Sequence, residues 1–178
     1  EAIRYARENQ IPFLGICLGM QLSIIEFTKN VLKMKNSGSS EFGKHTNNVI
    51  SLMTEWSKKN QKVTRTKEND LGATMRLGSY PCYIKHKSLA SKIYKKKLIH
   101  ERHRHRYEVN PKYRSSIEKK GLVFSGFSKD KKLLEIIENK YHKWFLGVQF
   151  HPELKSKPFK PHPIFFSFIK NSLMNKNA

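Results

Sequence analysis

Cysteine is scarce in this chain, with two residues, Cys17 and Cys82, among 178. Two cysteines cannot build a disulfide scaffold, so we expect a reducing, cytoplasmic setting rather than a secreted one. Long apolar runs are also missing, since none approaches the roughly 18 residues that a membrane-spanning helix needs. No signal sequence is visible either. The first residue is Glu1 and the first segment already reads as helix, so we expect a fragment without its upstream part.

Acidic residues are few as well: 14 stand against 35 lysines and arginines, which gives a formal net charge of +21. Such a balance is common in proteins that bind nucleic acid, so a non-catalytic basic nucleic-acid-binding module is one function class to consider. The lysines, however, are scattered along the whole chain, whereas a nucleic-acid footprint gathers its basic residues on one face. We attribute the charge to an A/T-rich genome, whose codons favour lysine, and expect no nucleic-acid partner.

Hydrophobic periodicity and turn residues predict an α/β domain with an added strand-rich portion. The predicted helices cover residues 2–9, 18–32, 88–97, 112–121 and 162–173. The predicted strands cover residues 11–16, 49–56, 100–109, 122–128, 133–139 and 144–150, together with a strand, turn and strand over 73–84. Residues 36–48 are predicted to form a loop.

The stretch PFLGICLGMQ, residues 12–21, places Cys17 between two glycines where a short apolar strand meets a helix. A G-x-nucleophile-x-G pattern at such a junction is typical of a nucleophile elbow, a sharp turn that exposes the nucleophile. We expect Gly15 and Gly19 to spare the turn two clashing Cβ atoms. The helix N-terminus should lower the pKa of the Cys17 thiol, and the N–H of Leu18 should face a developing oxyanion. The alternative is a structural cysteine between chance glycines.

The stretch GVQFHPE, residues 147–153, supplies a base and a group to orient it. His151 and Glu153 follow an apolar strand, whose end would lie at the carboxyl edge of the sheet beside Cys17. There His151 would take the thiol proton, and Glu153 would hold the imidazole in one tautomer. The alternative is a surface histidine and glutamate in a loop, with no catalytic role.

Together, GICLGMQ and FHPE resemble the motifs of the class I glutamine amidotransferase family. Three further segments resemble the CTP synthases within that family: SSEF at 39–42, DLGATMRLG at 70–78 and ERHRHRYEVN at 101–110. The resemblance runs over essentially the whole chain, so residues 1–178 are expected to form the C-terminal part of an amidotransferase domain. The family's N-terminal synthetase domain and the glycine-rich loop of its oxyanion hole are expected to lie outside it.

The resemblance implies a class I amidotransferase fold: a mostly parallel central sheet flanked by helices, a nucleophile elbow and an added antiparallel strand region. It implies a catalytic triad of Cys17, His151 and Glu153. The residues implied to bind L-glutamine are Leu18, Gly19, Met20, Gln21, Glu41 and Arg106. A carboxylate suits the α-ammonium group of glutamine, and an arginine suits its α-carboxylate. No metal site is expected.

Several other residues are expected to have structural or interfacial roles. Strand alternation should place Arg102, Arg104 and Arg106 on one face, the first two with structural or interfacial roles. Met75 and Arg76 are expected to shape a contact with the synthetase domain. Cys82 lacks flanking glycines and a nearby base, so we expect a core cysteine.

The reaction that the resemblance implies is hydrolysis of the side-chain amide of glutamine, with the ammonia passed to the synthetase domain. There, with ATP and Mg²⁺, it would convert UTP to CTP in pyrimidine biosynthesis, so the whole enzyme would be a ligase. No cofactor is expected in this part, and the resemblance implies a homo-oligomer, a tetramer. An amidotransferase for a different acceptor stays open as an alternative, beside the basic module.

Overall fold

The computed structural model describes residues 1–52 and 75–176 of the chain. Within these ranges the α-helices are α1 (Ala2–Glu8), α2 (Leu18–Asn30), α3 (Leu89–Tyr94), α4 (Arg114–Lys119) and α5 (Pro163–Lys176), and two short 3-10 helices cover Pro111–Tyr113 and Pro152–Lys155. The strands are β1 (Phe13–Ile16), β2 (Ser37–Ser39), β3 (Asn47–Leu52), β4 (Arg76–Ile84), β5 (Leu98–His105), β6 (Tyr107–Val109), β7 (Leu122–Phe127), β8 (Leu134–Asn139) and β9 (Phe145–Val148). None of the described helices is both long and apolar enough to cross a bilayer.

Within the described residues the larger sheet has six strands, in the order β1-β9-β8-β7-β4-β5. Strands β1 and β9 run parallel, whereas every other pairing in this sheet is antiparallel. The expected α/β class with an antiparallel region is confirmed, but the expectation of a mostly parallel sheet is wrong for the described residues. The reason is that β7, β8 and β9 follow one another through short turns, which only antiparallel neighbours permit.

The smaller sheet has the order β2-β3-β6, with β2 and β3 parallel. Strand β2 is fully buried and lies inside residues 36–48, so the prediction of an uninterrupted loop there is wrong. The strand predicted over 100–109 is two strands in different sheets, because the chain bends at Arg106 between β5 and β6.

The segment predicted as strand, turn and strand is one continuous strand, β4, within the described residues. Its Gly78 has a φ of 100°, a left-handed conformation that glycine adopts without strain, yet the pairing with β5 continues through it. Residues 53–56 and 73–74 of the predicted strands lie outside the described residues. All five predicted helices are present with shifted ends, and Pro163 opens α5, where its fixed φ suits a first helical residue.

Two apolar clusters cover the two faces of the larger sheet. Helix α2 contributes Met20 and Phe27 to the first, where they pack with Phe145 of β9. Helices α3 and α5 contribute to the second, which includes Leu146 and Cys82. Cys82 is completely buried, as predicted. Because adjacent residues of a strand point to opposite faces, both faces of β9 are packed and its carboxyl end is held firmly.

Candidate active site

Cys17 forms the turn between β1 and α2, at the predicted elbow. Its backbone has a φ of 50° and a ψ of −103°, a conformation that non-glycine residues rarely adopt and that clusters at functional sites. Its N–H donates to the carbonyl of Val148 over 2.7 Å. This hydrogen bond ties the elbow to the end of the neighbouring parallel strand, β9.

The two glycines of the elbow have different roles. A Cβ on Gly15 would lie 2.8 Å from the backbone carbon and oxygen of Gly19, so the strand and the helix approach too closely for any side chain. A Cβ on Gly19 would meet no atom of the described residues within 4 Å. The predicted steric need for glycine is therefore confirmed at position 15 and wrong at position 19, which faces open space.

Replacing Gly15 by alanine is expected to destabilise the elbow, because the new methyl group would press on backbone atoms that cannot rotate away. We expect a loss of roughly 1–3 kcal/mol in the free energy of unfolding, the usual cost of overpacking. The matched control is Gly19→Ala, which should keep or slightly raise stability because alanine favours helices. Urea denaturation of both variants measures the difference, and equal losses would contradict this geometry.

The thiol of Cys17 is half-buried, and its pKa is raised rather than lowered. Burial is the main cause, while the backbone N–H of Leu18 opposes it by hydrogen-bonding the sulfur. The negative charges of Glu153, Glu108 and Glu41 raise the pKa further. The expected lowering of the Cys17 pKa by the helix N-terminus is therefore outweighed by desolvation of the thiol. The resting thiol keeps its proton, so a nearby base is needed to remove it.

His151 and Glu153 form a hydrogen-bonded pair just beyond the end of β9, the strand that pairs with β1. The Nδ1 of His151 lies 2.6 Å from Oε1 of Glu153, and the His151 N–H donates to the carbonyl of Arg102 over 2.8 Å. A proton on Nδ1, donated to the carboxylate, leaves the lone pair of Nε2 free to accept another. That Nε2 is buried and has no hydrogen-bond partner among the described residues. The pair is thus arranged as a general base should be.

Glu41 lies in the turn that follows β2, and Arg106 in the bend between β5 and β6. Glu41 is exposed, and its charge raises the pKa of the Cys17 thiol, so its field reaches the sulfur. Arg102 and Arg104 share the exposed face of β5 as predicted, but Arg106 lies beyond the strand and is half-buried. The buried Nε of Arg106 has no partner among the described residues, so its guanidinium retains a donor for a bound anion.

The other four residues predicted to bind glutamine open α2. Leu18 is 43% exposed, whereas the side chain of Met20 is completely buried in the core, so a contact through Met20 would use its backbone. Gln21 is also buried, and its Nε2 donates to the carbonyl of Tyr107 over 2.9 Å. Gly19 keeps open space above its Cα.

Sequence reasoning missed Gln149, which precedes His151 by two residues. Its side chain is completely buried, and its Nε2 lies 3.8 Å from Sγ of Cys17. The Nε2 of Gln21 donates to its Oε1 over 3.1 Å. The only signal in the sequence was its place inside GVQFHPE, where it follows the last apolar residue of β9.

A buried charged cluster under the site was also missed. Arg76 is 8% exposed, and its Nη1 donates to Glu108 over 3.1 Å and to Glu135 over 2.9 Å. The expected role of Arg76 in a domain contact is therefore wrong, because its side chain faces the interior. In the same cluster Nδ1 of His103 lies 2.8 Å from Nε2 of His105.

Burial dominates the protonation of this cluster. It raises the pKa of Glu108 to about 8, against the opposing charge of Arg76. It lowers the pKa of His103 to about 2 and that of His105 to about 3, so both imidazoles are neutral at physiological pH. Among the described residues no group of three or more His, Cys, Asp or Glu side chains could hold a metal ion.

Comparisons of the chain with protein-family models and with known sequences point to one protein family. The family model described as Glutamine amidotransferase class-I matches residues 1–171. A CTP synthase of Pelagibacter ubique is 59% identical over 176 residues, which are 99% of this chain and 32% of that protein. A CTP synthase of Aquifex aeolicus is 55% identical over 177 residues, again 99% of this chain and 32% of that protein. The chain thus spans about a third of the length of these relatives.

Two solved structures resemble the fold. The glutaminase domain of Trypanosoma brucei CTPS with bound acivicin superposes with a TM-score of 0.85 and 37% identity, covering 97% of this chain and 64% of that one. A putative GMP synthase protein from Thermoplasma acidophilum gives a TM-score of 0.54 at 16% identity, covering 99% of this chain and 64% of that one. The second likeness concerns the fold alone.

Proposed function

Because the chain belongs to the class I glutamine amidotransferase family, we propose that it is the glutaminase part of a CTP synthase. The observation that carries the proposal is the pairing of a strained cysteine elbow with a carboxylate-oriented histidine, at the ends of adjacent parallel strands. The relatives named CTP synthase match nearly the whole chain, which supports the choice of this branch.

In the proposed reaction Nε2 of His151 takes the proton from Sγ of Cys17. The sulfur then forms a bond to the side-chain carbonyl carbon of L-glutamine, and the carbonyl electrons move onto the oxygen. The N–H of Leu18 is the donor in this chain for that oxyanion, and the family resemblance implies further donors outside the chain. Collapse of the oxyanion breaks the C–N bond, and His151 returns its proton to the departing ammonia.

The second half of the reaction removes the glutamyl group from sulfur. His151 takes a proton from water, whose oxygen attacks the thioester carbonyl. The C–S bond then breaks, and Cys17 recovers its proton as glutamate leaves. Throughout both halves Glu153 orients the imidazole and stabilises its charged form.

Substrate recognition follows from the charges beside the elbow. The exposed carboxylate of Glu41 would attract the α-ammonium group of glutamine, and the donor-rich guanidinium of Arg106 would hold the α-carboxylate. Leu18, Gly19, Met20 and Gln21 would contact the substrate at the start of α2. The open space above Gly19 supports this, because it leaves room beside the nucleophile.

The released ammonia would be used by another part of the whole enzyme. We infer that it is passed to a synthetase domain in the remaining length of the relatives, where ATP and Mg²⁺ support amination of UTP to CTP. The enzyme would then be a cytoplasmic ligase of pyrimidine biosynthesis and a homo-oligomer. The formal charge of +21 needs no nucleic-acid partner in this account.

The test is CTP formation by the full-length protein that contains this chain, from UTP and ATP with either glutamine or ammonium chloride. We expect the parent protein to use both nitrogen sources, and Cys17→Ala to use ammonium alone. If the parent protein hydrolysed glutamine but formed no CTP from either nitrogen source, the proposed acceptor UTP would be wrong and a different acceptor would take its place. Absence of glutamine hydrolysis in a folded parent protein would reject the glutaminase assignment.

A further inference from the structure

A fully buried amide side chain, that of Gln149, lies against the sulfur of Cys17. Its Nε2 is 3.8 Å from Sγ, within hydrogen-bond range for the large sulfur atom. The backbone N–H of Gln149 donates to the carbonyl of Glu135 over 2.9 Å, so the residue is fixed to β8 as well as to β9. The reaction proposed above assigns this amide no task.

The orientation of the amide follows from its neighbours. The carbonyl of Tyr107 can only accept, so Nε2 of Gln21 must donate to it, at 2.9 Å. The second hydrogen on the same nitrogen reaches Oε1 of Gln149, at 3.1 Å. With its oxygen used as an acceptor, Gln149 must turn an N–H towards Cys17.

We propose that Gln149 donates a hydrogen bond to the Cys17 thiolate and stabilises the charged nucleophile, with Gln21 holding its amide in the donating orientation. The proposal rests on the glutaminase function proposed for the same site. When the proton leaves Sγ for His151, a full negative charge forms on sulfur, and a hydrogen bond to a charged acceptor is stronger than one to a neutral thiol. As sulfur attacks the substrate, the charge passes to the oxyanion and this hydrogen bond weakens.

The surroundings of the sulfur make such a donor important. Burial opposes the thiolate, and so do the negative charges of Glu153, Glu108 and Glu41. The backbone N–H of Leu18 favours the thiolate. In the proposed reaction the imidazolium formed when His151 takes the proton would favour it as well. Gln149 adds a donor that carries no charge and cannot titrate, so it favours the thiolate at every pH.

The test is the pH dependence of Cys17 alkylation by iodoacetamide in the full-length protein, followed by peptide mass spectrometry. Gln149→Glu keeps the shape and the bond from Gln21, but when ionised it presents an oxygen to the sulfur instead of an N–H. We expect the midpoint pH of alkylation to rise by about one unit and the rate at pH 7 to fall about tenfold. Gln149→Met removes the donor without adding a charge, so its midpoint should rise by less.

Gln10→Met is the matched control, because the Gln10 amide bridges the backbone of Tyr141 and Lys143 at the opposite end of β1. It should keep the parent midpoint. Cys82, which is completely buried, stays unlabelled while the protein is folded and so monitors folding in every reaction.

The proposal would be overturned if both Gln149 variants kept the midpoint pH of Cys17 alkylation of the parent protein while Cys82 stayed unlabelled. Because alkylation needs only the Cys17 thiolate and no hydrolysis step, the result is independent of glutamine hydrolysis. A raised midpoint in a protein that does not hydrolyse glutamine would support the thiolate contact while rejecting the glutaminase function.

Discussion

Replacing Cys17 by serine is expected to reduce glutamine hydrolysis by about four orders of magnitude or more, the scale of loss seen when a nucleophile is removed from a catalytic triad. A serine hydroxyl at the elbow would keep the backbone geometry, but it is a much weaker acid than a thiol and His151 would not deprotonate it efficiently. Glutaminase activity of the full-length protein, measured as glutamate release at saturating glutamine, checks this loss.

The matched control is Cys82→Ser. Cys82 is completely buried in β4, and burial strongly raises the pKa of its thiol, so it is an inert core residue. The variant should lose some stability and keep its kcat. Comparable activity losses in the two serine variants would mean that Cys17 acts through packing and not as a nucleophile.

Replacing Arg76 by methionine is expected to cost roughly 3–5 kcal/mol in the free energy of unfolding, because it leaves Glu108 and Glu135 buried without a cationic partner. The loss should depend on pH. Burial already raises the pKa of Glu108 to about 8, and removal of Arg76 would raise it further. A carboxyl whose folded pKa exceeds its unfolded pKa favours the folded state at low pH and loses that contribution as the pH rises. The variant should therefore be weakest at alkaline pH and should recover partly near pH 5.

Arg4→Met is the control for this experiment. Arg4 pairs with Glu8 on the surface of α1, where half of its side chain is exposed and water screens the charges. Its removal should change stability little at any pH. Urea denaturation of both variants at pH 5 and pH 8 gives the comparison, and a loss in Arg76→Met no larger than in Arg4→Met would disprove the buried cluster.

The elbow and the histidine–carboxylate pair could be predicted because each is formed by a few residues that lie close together in the sequence. Gly15 and Cys17 are neighbours in sequence, so the turn they form depends little on the rest of the chain. His151 and Glu153 are separated by one proline, which restricts how their side chains can lie. The expectation that both apolar segments end at the same edge of the sheet is confirmed by the parallel pairing of β1 with β9.

The features that sequence reasoning missed depend on distant partners. Gln149 is oriented by Gln21 through a hydrogen bond between residues far apart in sequence. Arg76 read as a surface residue because both its carboxylate partners lie on later strands. The predicted direction of the Cys17 pKa shift is wrong for a related reason. The helix N-terminus is visible in the sequence, whereas the burial that outweighs it comes from the packed fold.

The most direct test of the central claim is covalent labelling of the full-length protein by a diazo-ketone analogue of glutamine, with the adduct located by peptide mass spectrometry. We expect an adduct on Cys17 that excess glutamine suppresses and that His151→Ala abolishes. No adduct on Cys17 in a folded sample would contradict the claim, and so would equal labelling of Cys17 and Cys82 without protection by glutamine.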